Sequence, residues 1–229
     1  MRRTSTHVPL SRYLFFVLEA VRDFSTTGAV APSSAALARA LTARARALPP
    51  AGLRILEIGA GTGAATALLL PLVAHGAELD VIEPNPRFVG HLQALTSTIA
   101  PPSAHRTGRV TIHRTTLEEF HPAQTYDVIV SGLPLKNFPP DRVRALMTKT
   151  LALLSPQGSF TAFSYLGAER LRALTADREA LLAHLKVDEI VHDLRRTHGD
   201  GCVRVWANLP PAEAWSLRAP ADQPAPAPW

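Results

Sequence analysis

Three glycines at alternating positions, Gly59, Gly61 and Gly63, follow the short apolar run Arg54-Ile55-Leu56-Glu57-Ile58 and precede the stretch Ala64 to Val73. A β-branched run closed by glycine suits a buried strand, and the longer stretch behind it suits a helix. The glycines then occupy a strand-to-helix turn. Residues without a Cβ accept positive φ and let backbone N–H groups come close to a ligand. Such a turn is the place where an open α/β sheet holds a nucleotide-like ligand. A tight turn that binds nothing is the alternative.

The rest of the chain alternates as that sheet requires. Leu79-Asp80-Val81-Ile82-Glu83 predicts a second strand ending in an acid, and Pro84-Asn85-Pro86 opens a helix from Arg87 to Ile99. Glu83 stands 20 residues after Gly63, where a strand-end carboxylate accepts hydrogen bonds from ribose hydroxyls. Third, fourth and fifth strands are expected at Arg109–His113, Tyr126–Val130 and Ser159–Tyr165, with a helix from Pro139-Pro140-Asp141 to Leu154 between the last two. The loop Ser131-Gly132-Leu133-Pro134-Leu135 and the strand-end Tyr165 therefore face the crevice that the glycines open. Ala168 to Leu185 reads as a helix, and Val187–Leu194 with Cys202–Leu209 as an antiparallel pair around the polar turn Thr197-His198-Gly199-Asp200-Gly201.

With 229 residues, 46% of them hydrophobic and 19% charged, the chain can bury one substantial core without a staple. The formal charge of +5 favours anionic surroundings such as phospholipid headgroups, RNA or phosphorylated metabolites, and does not choose among them. A single cysteine, Cys202, excludes an internal disulfide and a cysteine-rich zinc site. The nine histidines have no HxxxH or HExxH spacing, so no metal site is expected. No apolar run approaches the roughly 20 residues that span a bilayer. The run Tyr13 to Leu18 is short and followed by Glu19, and no signal peptide is expected.

The ends differ from the middle. Leu10, Leu14, Val17, Leu18, Val21 and Phe24 fall on one face of a helix, Tyr13 and Phe16 widen that face, and Arg2, Arg3, Arg12 and Arg22 border it. A basic amphipathic helix of this kind lies in a membrane interface or packs on its own domain; periodicity leaves both open. Pro32-Ser33 then starts an alanine-rich helix, Ala35 to Leu48, closed by Pro49-Pro50. Residues 1–32 are thus an N-terminal helix and loop, 33–216 a single domain, and 217–229 a proline- and alanine-rich tail expected to be disordered.

Two nucleotide signatures compete for the glycines. The dinucleotide fingerprint G-x-G-x-x-G needs its third glycine five positions after the first; here it comes at four, and Glu57 stands two residues ahead of the first. This G-x-G-x-G turn with its preceding acid resembles the first motif of the class I S-adenosylmethionine-dependent methyltransferases. A cofactor with an ammonium and a sulfonium but no phosphate favours an acid there, whereas a pyrophosphate would be repelled. The resemblance spans about residues 33 to 210. It implies an α/β, doubly wound, seven-stranded and mostly parallel sheet with an antiparallel last strand, and S-adenosylmethionine as cofactor. It also implies that the backbone of Gly59, Gly61 and Gly63 borders the methionine portion, that Glu57 orients the amino end and that Glu83 takes the ribose. The family usually carries an acid after its third strand to bind the adenine amino group. His113-Arg114-Thr115-Thr116-Leu117 has none before Glu118, which leaves the backbone of Thr116 or Leu117, or Glu118 itself.

Further stretches narrow the resemblance. Gly28 to Ser34, Ser131 to Leu135, Phe163-Ser164-Tyr165 and Val205-Trp206-Ala207-Asn208-Leu209-Pro210-Pro211 together resemble the bacterial phospholipid N-methyltransferases, which convert phosphatidylethanolamine to phosphatidylcholine, and their relatives that methylate ornithine lipids. The resemblance implies a monomer attached peripherally by its N-terminal helix to the cytoplasmic face of the membrane. In this reading Tyr165 meets the amine through its hydroxyl or its π face, and Ser131 assists through its hydroxyl or the adjacent carbonyl. Lys136 or Arg204 would hold a lipid phosphate, with Tyr13 beside the lipid. The same stretches resemble the RNA adenine dimethyltransferases, whose fourth motif reads Asn-Leu-Pro-Tyr. Ser131 and Leu135 occupy the Asn and Tyr places, so a flipped base would lose its hydrogen-bond partner and its stacking face. No stable nucleic-acid partner is expected. The alternatives are an RNA or small-molecule methyltransferase of the same fold and a non-catalytic lipid-surface binding module.

Overall fold

A computed structural model of the chain describes residues 34–97, 108–167 and 178–220. Seven strands, β1 (Arg54–Ile58), β2 (Glu78–Ile82), β3 (Arg109–His113), β4 (Tyr126–Ser131), β5 (Leu154–Tyr165), β6 (Gly199–Val205) and β7 (Ala212–Arg218), form one sheet in the order β3-β2-β1-β4-β5-β7-β6. The first five run parallel, while β7 is antiparallel to both β5 and β6. This is the doubly wound, mostly parallel sheet expected from the sequence. Chain order reverses between β1 and β4, so the crevice beyond their carboxyl ends is the ligand side.

Helices cover both faces, which is why the central strands are apolar on both sides. On one face lie α1 (Ala35–Arg46), α2 (Thr66–Val73) and α3 (Pro86–Thr96). Their Leu37, Leu41, Leu69 and Leu92 pack on Ile55, Leu79, Val81, Val128 and Val130. On the other face lie α4 (Pro140–Ala152) and α5 (Arg178–His198), which set Val143, Leu146, Met147, Val187 and Ile190 against Leu56, Ile58, Ile129, Phe160 and Trp215. Alternate residues of each strand therefore serve alternate cores. Ser34 caps α1, its hydroxyl accepting the Leu37 N–H at 3.1 Å.

Several expectations need correction. Val187–Leu194 is not a strand but the middle of α5. Its β-branched residues disguise a helical repeat, since Val187, Ile190, Val191 and Leu194 recur at i, i+3, i+4 and i+7 and pack as one stripe. The antiparallel pair is instead β6 with β7, joined by residues 206–211, and the strand expected at Cys202–Leu209 ends at Val205. Leu217 and Arg218 belong to β7 rather than to a tail. The fifth strand begins at Leu154, ahead of Ser159, because its register on β4 shifts between Tyr126 and Val128 and so accommodates Pro156 to Gly158. At that irregularity a Cβ on Gly158 would stand 2.8 Å from the Tyr126 carbonyl oxygen. The helix expected over Leu10 to Phe24, Tyr13 within it, the first half of the Ala168–Leu185 helix and residues 221–229 lie outside the described residues.

Leu217 is fully buried under α5, so Leu217→Ala should lower stability by about 2–5 kcal/mol. The midpoint of denaturant unfolding measures this loss. An unchanged midpoint would put the end of the domain before residue 217.

Candidate functional site

Strand register brings the site together. Ile58 is level with Ile82 on one side and with Ser131 on the other, so three strands end at one crevice. Gly59, Gly61 and Gly63 all take positive φ, 70°, 54° and 81°, a conformation that other residues adopt only with strain. The turn is pinned at both sides, by the Gly59 N–H on the Ile82 carbonyl at 2.9 Å and the Gly132 N–H on the Ile58 carbonyl at 2.8 Å. A Cβ on Gly132 would stand 2.5 Å from the Gly59 carbonyl oxygen, whereas one on Gly61 would meet nothing. Gly61 therefore faces open crevice.

Two carboxylates bracket this turn. Glu57, on β1, is buried, and one of its oxygens accepts a 2.7 Å hydrogen bond from the Thr66 hydroxyl at the start of α2. Burial pushes its pKa up to about 7; the hydrogen bonds from Thr66 offset only part of that rise, and the charge of Glu83 adds to it. Glu83, just past β2, is also buried. Its Oε2 accepts the Gly61 N–H at 2.8 Å and its Oε1 the Asn85 N–H at 2.9 Å. Each oxygen keeps a further acceptor position. This donor set fits a nucleoside that carries an ammonium: a desolvated acid for the cation, a fixed acid for hydroxyls, and a glycine backbone with room in front of it. A pyrophosphate would meet two carboxylates.

Across the crevice, Ser131 ends β4 and is buried. Its hydroxyl accepts the Leu133 N–H at 3.2 Å and closes its own loop. Leu133 leans over Gly59. Leu135, which opens a 3-10 turn ending at Asn137, is buried in the core rather than displayed. Tyr165 ends β5, with its ring edge-on to Phe163 at 5.2 Å. Burial raises its phenol pKa, and among the described residues its hydroxyl has no hydrogen-bond partner.

Beside Tyr165 lies a groove of about 620 Å³, lined among others by Lys136, Leu185, Asp188, Arg195 and Glu213. Lys136 is not a free cation: its Nζ stands 2.6 Å from Asp188 Oδ1 on α5. Arg195 binds Glu213 at 2.7 Å, and Arg204, on the edge strand β6, approaches the same carboxylate at 3.9 Å while remaining 64% exposed. Sequence reasoning missed Asp188, Arg195 and Glu213 because it read the first two residues into and beside a strand. It also missed Thr66, which only the helix start after the glycines signals.

The stretch after β3 divides as follows. Leu117 is buried against the core, with its carbonyl accepting the Phe120 N–H at 3.3 Å. Glu118 is turned to α4, its carboxylate on Arg142 at 2.8 Å and its carbonyl on Lys149 at 2.7 Å. Glu118 is thus tied to α4 through both its carboxylate and its carbonyl.

Residues 56–160 match the family model described as a methyltransferase domain. No curated protein matches the chain at significance. Among solved structures, the O-methyltransferase TomG of Streptomyces achromogenes, in complex with S-adenosylmethionine, superposes with a TM-score of 0.59 at 16% identity, over 90% of this chain and 89% of that one. The 1,6-didemethyltoxoflavin-N1-methyltransferase of Burkholderia thailandensis, with bound S-adenosylhomocysteine, gives 0.58 at 17% identity, over 95% and 93%. Magnesium protoporphyrin IX methyltransferase from Synechocystis, with bound S-adenosylmethionine, gives 0.55 at 14% identity, over 90% and 84%. Identities this low speak for the fold; the matched domain and the paired acids at the glycine turn speak for the ligand. The chain thus has the fold of the class I S-adenosylmethionine-dependent methyltransferases, with residues 56–160 matching a methyltransferase domain, and S-adenosylmethionine is the cofactor that these findings indicate.

Proposed function

We propose that this protein methylates the headgroup amine of a membrane lipid, phosphatidylethanolamine or an ornithine lipid, at the groove beside Tyr165. The observation that carries this reading is the mixed character of that groove. Lys136 and Arg195 face Asp188 and Glu213 beneath an apolar wall of Leu166, Leu185 and Val191. A zwitterionic headgroup on an acyl chain needs both signs of charge and an apolar approach.

When bound, S-adenosylmethionine supplies a methyl group on a sulfonium that is already activated. The chain has to hold, align and dehydrate. Glu57 takes the ammonium of the cofactor, Glu83 its ribose hydroxyls, and the backbone of Gly59, Gly61 and Gly63 passes beside the methionine portion, with Leu117 as an apolar wall. Tyr165 cannot serve as a phenolate near neutral pH, because burial raises its pKa. It meets the amine as a neutral hydroxyl and a π face, and a π face also accommodates the more methylated cation of successive turnovers. A headgroup ammonium, with a pKa of about 10 in water, must lose a proton before transfer. The apolar walls of Phe163, Leu185 and Val191 disfavour the charged form and ease that loss. Ser131, committed to the Leu133 N–H, keeps the loop in place and can still donate its own proton.

A soluble acceptor is the second reading, favoured by neighbours named for a toxoflavin precursor and for tomaymycin synthesis. Incubation of the protein with methyl-labelled cofactor, total lipid extract, RNA and small metabolites separates the two. Label is expected in the lipid fraction, and thin-layer separation names the headgroup. Label confined to the water-soluble or RNA fraction would overturn the lipid reading.

Two variants test the roles. Tyr165→Ala should lower lipid methylation about 30-fold, the equivalent of a desolvated cation–π contact of about 2 kcal/mol, with cofactor affinity unchanged; Tyr165→Phe should keep most of the rate. Glu57 gives opposite signs for stability and binding. Its folded pKa of about 7 lies above the ordinary 4.5, so the empty protein is most stable below about pH 4.5 with respect to this group. That contribution is lost as pH rises to about 7. Glu57→Gln should therefore raise the thermal midpoint of the cofactor-free protein at pH 8. Cofactor affinity should fall roughly tenfold or more in the same variant, and in the native protein it should weaken as pH drops through 7. Calorimetric titration at pH 6 and pH 8 reads both effects.

A further inference from the structure

The carboxyl end of the sheet carries an apolar tip that no core absorbs. Residues 206–211, which join β6 to β7, display Trp206 at 68% and Leu209 at 56% exposure, and Val203 on β6 just before them is 61% exposed. The tip stands at the groove. Val205 pairs with Ala212, Ala212 pairs with Tyr165, and the Leu166 N–H donates to the Pro211 carbonyl at 2.7 Å. Asn208 fixes its shape: it is buried, donates to the Pro210 carbonyl at 2.7 Å and accepts the Ser34 N–H at 3.1 Å. That last bond brings Ser34, the cap of α1, to the same corner. Arg204, 64% exposed, flanks the apolar side chains.

The opposite rim of the groove matches. Lys136 ties Asp188 of α5 to the turn after β4, and the first ten residues of the helix, ahead of Asp188, continue about 15 Å past that level at 1.5 Å per residue. They carry Leu182 and Leu185, 49% and 54% exposed. Apolar side chains on both rims of one groove, with arginine at the edge of a chain of net charge +5, have the chemistry of an interface with an anionic bilayer. There tryptophan sits at headgroup depth and basic residues meet lipid phosphates.

We infer that the β6–β7 connection, through Trp206 and Leu209, docks the groove onto an anionic phospholipid bilayer. The inference deepens the lipid reading above and rests on it, since an amine held in a membrane must reach Tyr165 from the membrane plane. It is separate from the amphipathic N-terminal segment, because Trp206 and Leu209 belong to the catalytic domain itself.

Sedimentation of the full chain with vesicles of phosphatidylglycerol and phosphatidylethanolamine tests this. Trp206→Ala with Leu209→Ser should weaken vesicle binding at least tenfold and slow methylation of vesicle lipid to match. The rate on the same lipid dispersed in detergent, the cofactor affinity and the thermal midpoint should all hold. Trp206 fluorescence, read in a Trp229→Phe background with Trp215 buried, should be quenched by brominated lipid. Unchanged vesicle binding and turnover in the double variant would overturn the inference and leave the lipid reading intact. A wild-type protein that binds vesicles through Trp206 but labels no lipid in either form would do the reverse. Equal binding to purely zwitterionic vesicles would overturn the anionic part.

Discussion

The meeting of two backbone turns at the point where chain order reverses is the constraint on which the site depends. β1 and β4 leave the sheet side by side, and the Gly132 N–H reaches the Ile58 carbonyl so closely that a single Cβ on Gly132 would strike the Gly59 carbonyl oxygen. Gly132 is therefore glycine for reasons of contact, whereas Gly59, Gly61 and Gly63 are glycine for their positive φ. That contact aligns the cofactor turn with the loop carrying Ser131 and Leu133, and hence with the groove beyond. The apolar central strands, packed by α1 to α3 on one face and by α4 and α5 on the other, hold it rigid.

Charge is placed in this frame at a cost. Glu57 is buried with hydrogen bonds from Thr66 alone, and burial, with the charge of Glu83 beside it, outweighs those bonds and raises its pKa to about 7. A catalytic domain with no further use for that carboxylate would be more stable with an apolar residue of the same volume. The penalty makes sense where the empty site is the strained one and a bound ammonium relieves it. Glu83 is the contrasting acid: two backbone N–H groups already solvate it, so it is ready for neutral hydroxyls. The two acids at one turn thus differ in how far each is satisfied beforehand, the difference on which their proposed roles at an ammonium and at hydroxyls rest.

Legibility in the sequence followed the strength of local signals. The five parallel strands were readable because short apolar runs closed by glycine, proline or an acid admit few other readings, and the glycine spacing with Glu57 and Glu83 pointed to S-adenosylmethionine, the cofactor that the matched domain and the solved neighbours also indicate. The second half was harder. Val187, Ile190 and Val191 are β-branched and invite a strand, yet their spacing is helical, and α5 shows that the period outranks the propensity. That single misreading displaced the hairpin by one element and hid Asp188 and Arg195. Ion pairs such as Lys136 with Asp188, 52 positions apart in the chain, have no local signature at all, so Lys136 looked free in the sequence.

The division between legible and hidden parts follows a division of labour. Residues up to β4 build the glycine turn and its two acids, and they obey short-range rules of turn and strand. From β5 onward what matters is which faces are left uncovered: Tyr165 at a strand end, mixed charges along α5 and β7, and Trp206 and Leu209 on a connection that Asn208 holds in place. An exposed tryptophan beside a groove contributes nothing to the core that buries Trp215 on the neighbouring strand. The two tryptophans differ in where the hairpin carries them: Trp215, on β7, is packed in the core, and Trp206, on the connection, is left outward. A hairpin built that way lets the antiparallel end of the sheet close the second core with Trp215 and Leu217 while its connection leaves Trp206 and Leu209 outward, the arrangement on which the proposed membrane docking rests.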